Sequence, residues 1–248
     1  MKVVVIGGTG LIGSKVVAGL GEHGQEAVAA APNTGVNTLT GEGLAEVLQG
    51  AQVVVDVSNS PSFEDEAVME FFPTSTTRLL EAEAEAGVAH HVALSVVGTD
   101  RLQGSGYFRA KQVQEDLIRT SGIPYSIVHA TQFFEFAKGL ADGVTEGDTV
   151  HLPDAKIQPM VSGDVAAAVG RRAVGEPVNG VVEIGGPEVF ELEEFIRMGL
   201  AALNDPRKIV TDPQATYWGA PLQEGTLLPG PEADLGETKF ADWLAQQR

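Results

Sequence analysis

The sequence predicts an α/β fold, a doubly wound parallel sheet with a small C-terminal substrate-binding part, on three observations. Val3 to Ile6 is an unbroken β-branched run, the composition of a strand buried on both faces. A glycine-rich turn follows at once, spaced Gly7-x-x-Gly10-x-x-Gly13. Leu11, Ile12, Val16, Val17 and Leu20 then recur at helical spacing. Strand, turn and helix in that order suit a dinucleotide. Glycines remove the Cβ atoms that would hold a pyrophosphate off the backbone, and the helix N-terminus offers free N–H groups and partial positive charge. Gly7, Thr9, Gly10, Leu11, Ile12 and Gly13 are therefore candidate cofactor-binding residues. The same spacing also suits a tight strand–helix turn with no ligand.

Composition bounds the rest. A chain of 248 residues fits one large α/β domain with a small appendage, divided here as 1–150 and 151–248. There is no cysteine, hence no disulfide and no thiolate chemistry. The net charge of −18 argues against nucleic acid and anionic membrane surfaces as partners, since both need a basic footprint. The first apolar run is short and is cut by Gly7 and Gly8, so neither a signal peptide nor a membrane span is expected, and the chain reads as cytoplasmic.

Taken in order, Glu26 to Ala31 is the second strand. A Rossmann unit that binds NAD carries an acidic residue about 20 positions beyond the glycine turn. Here the segment is Ala30-Ala31-Pro32-Asn33-Thr34-Gly35, with no carboxylate to repel a 2′-phosphate and no arginine to bind one. Asn33, Thr34 and the backbone near Gly35 can form a small polar nest for it, which favours NADP(H), with NAD(H) as the alternative. A short helix is expected within Leu39 to Gly50, and Gln52 to Val57 is the next buried strand. Asn59, just past that strand where ligands lie in open α/β sheets, suits a cofactor-binding residue and equally an ordinary turn residue. Pro73 reads as the start of a helix to about Glu85, with Glu81, Glu83 and Glu85 on an acidic exposed side. His90 to Ser95 is the fourth strand; adjacent histidines face opposite ways, and no metal site is expected.

Tyr107 and Lys111 then open a helix four residues apart, hence on one face. The chemistry of that pair is specific. A carbonyl reduced by hydride needs a proton on its oxygen, and a tyrosine with pKa near 10 is a slow donor. A neighbouring ammonium stabilises the phenolate and lowers that pKa. Lys111 can also bond the nicotinamide ribose. A surface pair with no role is the plain alternative.

With these residues in view, the chain resembles the short-chain dehydrogenase/reductase superfamily. The run Tyr107-Phe-Arg-Ala-Lys111, Glu115, Ser121 to Val128 and Thr131-Gln132-Phe133-Phe134 is similar to its atypical, NmrA-like branch of NAD(P)H-binding proteins. The resemblance covers about residues 1 to 170 well. It implies a Rossmann fold with a small C-terminal part, and it implies that Ser95 bonds the substrate carbonyl, with Thr99 as a substitute. It also implies that some members sense cofactor without turnover.

Beyond the fifth strand, Tyr125 to His129, residues Gln132 and Phe133 fall on the cleft rim as substrate candidates, while Phe134 and Phe136 read as core. Asp164 is an expected helix N-cap before Val165 to Val174. Residues 212 to 236 are rich in Pro and Gly yet carry Tyr217, Trp218 and Leu222, which suits a substrate lid or a homodimer contact, with Trp218 as a substrate residue. The expected activity is NAD(P)H-dependent reduction of a carbonyl, quinone or related small apolar acceptor. In that expectation Tyr107 donates the proton, Lys111 tunes it and Ser95 orients the oxygen. The alternatives are an NADP(H)-sensing regulatory protein and an epimerase or dehydratase that recycles NAD.

Overall fold

The structure, a computed structural model, describes residues 1–247. The first half runs β1 (Lys2–Ile6), α1 (Gly13–Glu22), β2 (Glu26–Ala30), α2 (Leu44–Val47), β3 (Val53–Asp56), α3 (Asp65–Ala86), β4 (His90–Val96), α4 (Gly106–Thr120) and β5 (Tyr125–Ala130). The second half runs α5 (Ala137–Gly143), β6 (Thr145–Glu146), β7 (Thr149–Leu152), β8 (Lys156–Ile157), α6 (Ser162–Val174), β9 (Gly180–Gly185), β10 (Phe190–Glu191), α7 (Leu192–Ala202), β11 (Lys208–Thr211), β12 (Asp234–Leu235) and α8 (Phe240–Gln246).

Seven strands form one parallel sheet in the order β12-β9-β5-β4-β3-β1-β2. Val3, Val4 and Val5 of β1 sit in register with Val53, Val54 and Val55 of β3. Helices cover both faces, which is why these strands are continuously apolar rather than alternating. Val3 and Val5 face α1 and α6 with Val16, Leu20, Val165 and Val169. Val4 and Ile6 face the other way, with Leu44, Leu48 and Leu79. The chain winds outward in opposite directions from β1 and β3, so the topological switch point lies between their carboxyl ends.

Both α6 and β9 come from beyond residue 150 yet complete this sheet and its cover, so the two parts of the chain interleave. The remaining C-terminal elements form two small sheets, β10-β8 and β11-β7-β6. They share a separate aromatic core of Phe134, Phe195 and Phe240.

The short helix expected within Leu39 to Gly50 is present as α2, and Gly41 and Gly43, with left-handed φ of 83° and 72°, hold a turn before it. Several local expectations are corrected. Pro73 does not start α3 but lies inside it, eight residues past its first residue. Glu83 is not exposed: it is fully buried and accepts a hydrogen bond from His91 Nδ1 of β4 at 2.9 Å. Glutamates two apart do not share a helix face, since residues fall about 100° apart, so only Glu81 and Glu85 remain outside. Asp164 is the third residue of α6, and its carboxylate instead accepts the backbone N–H groups of Glu237 and Thr238 at 3.1 and 3.0 Å. It thereby ties the C-terminal segment to α6. No helix among the described residues is long and apolar enough to cross a membrane.

Candidate functional site

A cleft of about 730 Å³ runs along the carboxyl ends of β1, β3, β4 and β5. Gly7, Thr9, Gly10, Leu11 and Ile12 line one end, and Asn59 stands beside them. The glycines of the turn divide by duty. A Cβ at Gly13 would lie 2.1 Å from the Gly7 carbonyl oxygen, and one at Gly8 2.6 Å from that of Val5. Gly8 is required by its close approach to β1 and β2, and Gly13 by the packing of the start of α1 on the turn. Gly7 has φ of 76°, and a Cβ there would meet Ser58 N at 2.9 Å, where the exits of β1 and β3 touch. Gly10 is different: it is exposed, and a Cβ would meet only Gly7 O at 3.3 Å. This is the glycine whose surface is left for a ligand, at the N-terminal end of α1. The turn therefore fits a pyrophosphate.

Farther along this end, the residues predicted to hold a 2′-phosphate are only partly available. Thr34 is outside the cleft lining, and its hydroxyl is consumed in its own turn, accepting from Ala31 N and donating to Ala31 O, both at 2.9 Å. Asn33 also stands off the cleft, but it accepts a hydrogen bond from the cleft-lining Thr9 hydroxyl at 3.0 Å. The wall there is made by Pro32, Asn37, Thr38 and Leu39, which sequence reasoning passed over. No motif marks them; they reach the cleft because Gly41 and Gly43 turn the loop back.

The other end of the cleft holds Tyr107 and Lys111, both on α4 and both against Phe72 of α3. The predicted coupling between them is not the dominant feature. Lys111 Nζ donates to the Leu94 carbonyl at 2.9 Å and to Gln114 Oε1, and lies 4.7 Å from the centre of the Phe72 ring. Gln114 donates in turn to buried Asp56 at 3.0 Å. Burial lowers the Lys111 pKa to about 8, with Asp56 and Glu115 opposing. Burial also raises the Tyr107 pKa above that of free tyrosine, with Tyr217 adding to the effect, and Lys111 does not offset it. At neutral pH Tyr107 is thus a phenol and Lys111 mostly a cation. It is the only cationic side chain lining the cleft among the described residues.

Ser95 lines the cleft, but its hydroxyl donates to Glu115 Oε1 at 2.5 Å. Glu115 is buried and also accepts from His129 Nε2 at 2.8 Å and from Arg119 at 2.7 Å. Its pKa is lowered to about 2: burial pushes it up, and the hydrogen bond and charge of His129, then Ser95 and Lys111, overcome that. Ser95 therefore has no proton left for a carbonyl. Thr99 is no substitute, because its hydroxyl donates to Val96 O at 2.7 Å and it lies outside the lining. Glu115 was quoted in the sequence run without a role; its partners come from β4, β5 and its own helix, which no spacing reveals.

Aromatic rings close this end. Trp218 packs at a tilt on Phe63, their ring centres 5.3 Å apart, and Phe63 lies 5.5 Å from Tyr107. Trp218 and Gly219 occupy a two-residue turn closed by Tyr217 N to Ala220 O at 2.7 Å and the reverse bond at 3.0 Å. Both central residues have positive φ, 50° and 84°, as in a type I′ turn. A tryptophan there is strained by about 1–2 kcal/mol. The segment 212–236 thus covers the cleft with Tyr217 and Trp218, while Leu227 is buried in the C-terminal core. Phe133 lines the cleft, stacked at 5.3 Å on Phe136. Phe134 is core as expected, whereas Phe136 is 47% exposed and belongs to the cleft. Gln132 and Thr131 line it beside them. No cluster of three or more metal-ligating side chains occurs among the described residues.

No family model matches the chain. A (4-alkanoyl-5-oxo-2,5-dihydrofuran-3-yl)methyl phosphate reductase of Streptomyces griseus is 26% identical over 208 residues, 77% of this chain and 70% of that protein. Among solved structures, MoeE5 in complex with UDP-glucose and NAD superposes with a TM-score of 0.75 at 18% identity, covering 100% of this chain and 97% of that one. An NADPH-dependent quinone oxidoreductase of Escherichia coli superposes with a TM-score of 0.70 at 16% identity, covering 99% of each chain. The fold is therefore the Rossmann-like α/β fold that these solved structures share, as the sequence predicts.

Proposed function

We propose that this chain is an NAD(P)H-dependent reductase of a carbonyl, quinone or related small apolar acceptor. The observation that carries the reading is one continuous cleft with the glycine turn at one end and an unpartnered tyrosine hydroxyl at the other. The dinucleotide, when bound, supplies the hydride. The phosphates rest on the turn at Gly10 and the N-terminus of α1. Asn59 and the acceptor side of the Thr9 hydroxyl serve the nucleotide, and the lack of a carboxylate in the segment Ala30 to Gly35 favours NADP(H) over NAD(H).

Tyr107 is the proton donor to the acceptor oxygen. Its hydroxyl makes no hydrogen bond among the described residues that would compete for the proton, and burial keeps it protonated at neutral pH. Lys111 holds a positive charge in the cleft wall, opposing the negative charge that develops on that oxygen. Glu115 fixes Ser95 and His129, so Ser95 acts here as a positioning residue. The ring wall of Phe63, Tyr107 and Trp218 suits a flat apolar acceptor. The reading is also supported by the reductase relative and by the quinone oxidoreductase fold neighbour.

A second reading, a cofactor-responsive protein without turnover, is favoured by one observation: Lys111 is engaged by Leu94 and Gln114 rather than by Tyr107. Fluorescence titration with NADPH and NADH, followed by a panel of carbonyl and quinone acceptors, separates the two. Cofactor binding with oxidation of NADPH by an acceptor is the expected outcome. Binding with no acceptor consumed supports the second reading, and no binding of either cofactor ends both.

A further inference from the structure

Five buried side-chain atoms have no hydrogen-bond partner among the described residues, and three of them belong to Thr131 and Gln132. These are the Thr131 hydroxyl and both amide atoms of Gln132. The two residues are 1% and 8% exposed, follow β5 directly and line the cleft. Their backbones are pinned: Thr131 N donates to Ile184 O at 3.1 Å, and Met160 N donates to Gln132 O at 2.8 Å. The Tyr217 hydroxyl is close enough to interact with Gln132, but the approach lacks hydrogen-bond geometry and leaves both amide atoms without a partner among the described residues. A desolvated amide with neither its donor nor its acceptor used is costly, and such groups mark places where something else completes them.

The completing group must offer an acceptor and a donor together. A lone carbonyl of a substrate would satisfy the Gln132 N–H and leave Oε1 unpaired. A planar primary carboxamide satisfies both through two parallel hydrogen bonds. Position agrees with that chemistry. The glycine turn leaves β1, and Gln132 leaves β5, three strand spacings away across β3 and β4, about 14 Å. That is comparable with the reach of the nicotinamide mononucleotide half of a dinucleotide whose pyrophosphate rests on the turn. We propose that Gln132, with Thr131 beside it, holds the carboxamide of the nicotinamide ring and so fixes the ring's rotation; this rests on the cofactor reading above.

The test is calorimetric titration of the intact protein with three ligands. NADPH carries the carboxamide, its 3-acetylpyridine analogue replaces the amide NH₂ with methyl, and 2′,5′-ADP lacks the nicotinamide altogether. Gln132→Met keeps the volume and removes an unpaired polar group, so its melting temperature should equal or exceed that of the native protein. Native protein should bind the analogue about tenfold more weakly than NADPH. Gln132→Met should bind NADPH about tenfold more weakly, show no further loss with the analogue, and bind 2′,5′-ADP normally. Unchanged NADPH affinity in Gln132→Met overturns the proposal, as does an equal loss for NADPH and 2′,5′-ADP. A rise confined to the KM of the acceptor assigns the amide to the substrate and also overturns it. If native protein binds neither NADPH nor 2′,5′-ADP, and neither NADH nor ADP-ribose, the cofactor reading itself has failed.

Discussion

The two ends of the cleft are built on different principles. At the β1 end the Thr9 and Thr34 hydroxyl protons are given to Asn33 and to the Ala31 carbonyl, and Gly7, Gly8 and Gly13, unlike Gly10, are demanded by packing. What that end offers a ligand is chiefly backbone and shape, with few side-chain groups beside them. At the β5 end Thr131 and Gln132 have unpaired polar atoms, and a tryptophan is held at positive φ. What that end offers is side-chain chemistry, kept at a cost in stability. A cleft of this kind can retain one binding end while its chemistry changes at the other, because the two draw on different residues.

The largest expected effect breaks the first end apart. Gly13→Ala places a methyl 2.1 Å from Gly7 O, and should cost about 3 kcal/mol or more in urea unfolding. Gly10→Ala should change stability by less than about 1 kcal/mol and weaken cofactor binding instead. If both variants lose stability alike, the division of duty among the glycines is wrong.

Next comes the support of the chemical end. Glu115 has a folded pKa of about 2 against an ordinary value of 4.5. Its contribution is therefore full above pH 4.5 and is lost as pH falls toward 2. That contribution is about 3 kcal/mol, and Glu115→Gln should remove it, flattening the acid limb of a stability–pH curve. Lys111 has the opposite sign. With its pKa lowered to about 8 from 10.5, the unfolded chain holds the extra proton between those values, so this site adds stability as pH rises from 8 to 10.5. Lys111→Met should abolish that rise.

Tyr107→Phe should lower kcat/KM about 100-fold, some 2.7 kcal/mol, while leaving NADPH affinity within twofold. In the native enzyme kcat/KM should fall above pH 8 as Lys111 loses its charge. A flat profile through pH 9.5 would remove Lys111 from the reaction. The smallest effect is the most diagnostic of the second end. Trp218→Asn should stabilise the protein by about 1 kcal/mol by relieving the left-handed backbone, yet raise the KM for an aromatic acceptor. Equal KM values would show that the strain serves no substrate.

Much of the first end was legible because its signals are local. Val3 to Ile6, the glycine spacing and the helix after it lie within twenty residues, and each follows from backbone sterics or hydrophobic period. The second end was legible only as residue types. Tyr107 and Lys111 do share a helix face and a cleft, but what Lys111 bonds depends on β4 and on Gln114. Ser95 was placed at the correct strand, while the carboxylate that takes its proton arrives from α4. Glu83 was misplaced because a period-two alternation was laid on a helix. Trp218 was named from composition; its left-handed turn could not have been, since tryptophan is a poor residue for one.

That Lys111 is the single cation lining the cleft among the described residues has a kinetic consequence. A phosphorylated dinucleotide is a polyanion approaching a chain of net charge −18, and Lys111 alone answers it from the cleft wall. At physiological ionic strength the field reaches about 8 Å from the surface, so encounter is slowed by repulsion before any contact is made. Added salt should therefore speed association, the reverse of the steering seen where charges are complementary. A bound complex held by backbone N–H groups, as proposed, should dissociate at a rate far less sensitive to salt than the rate at which it forms.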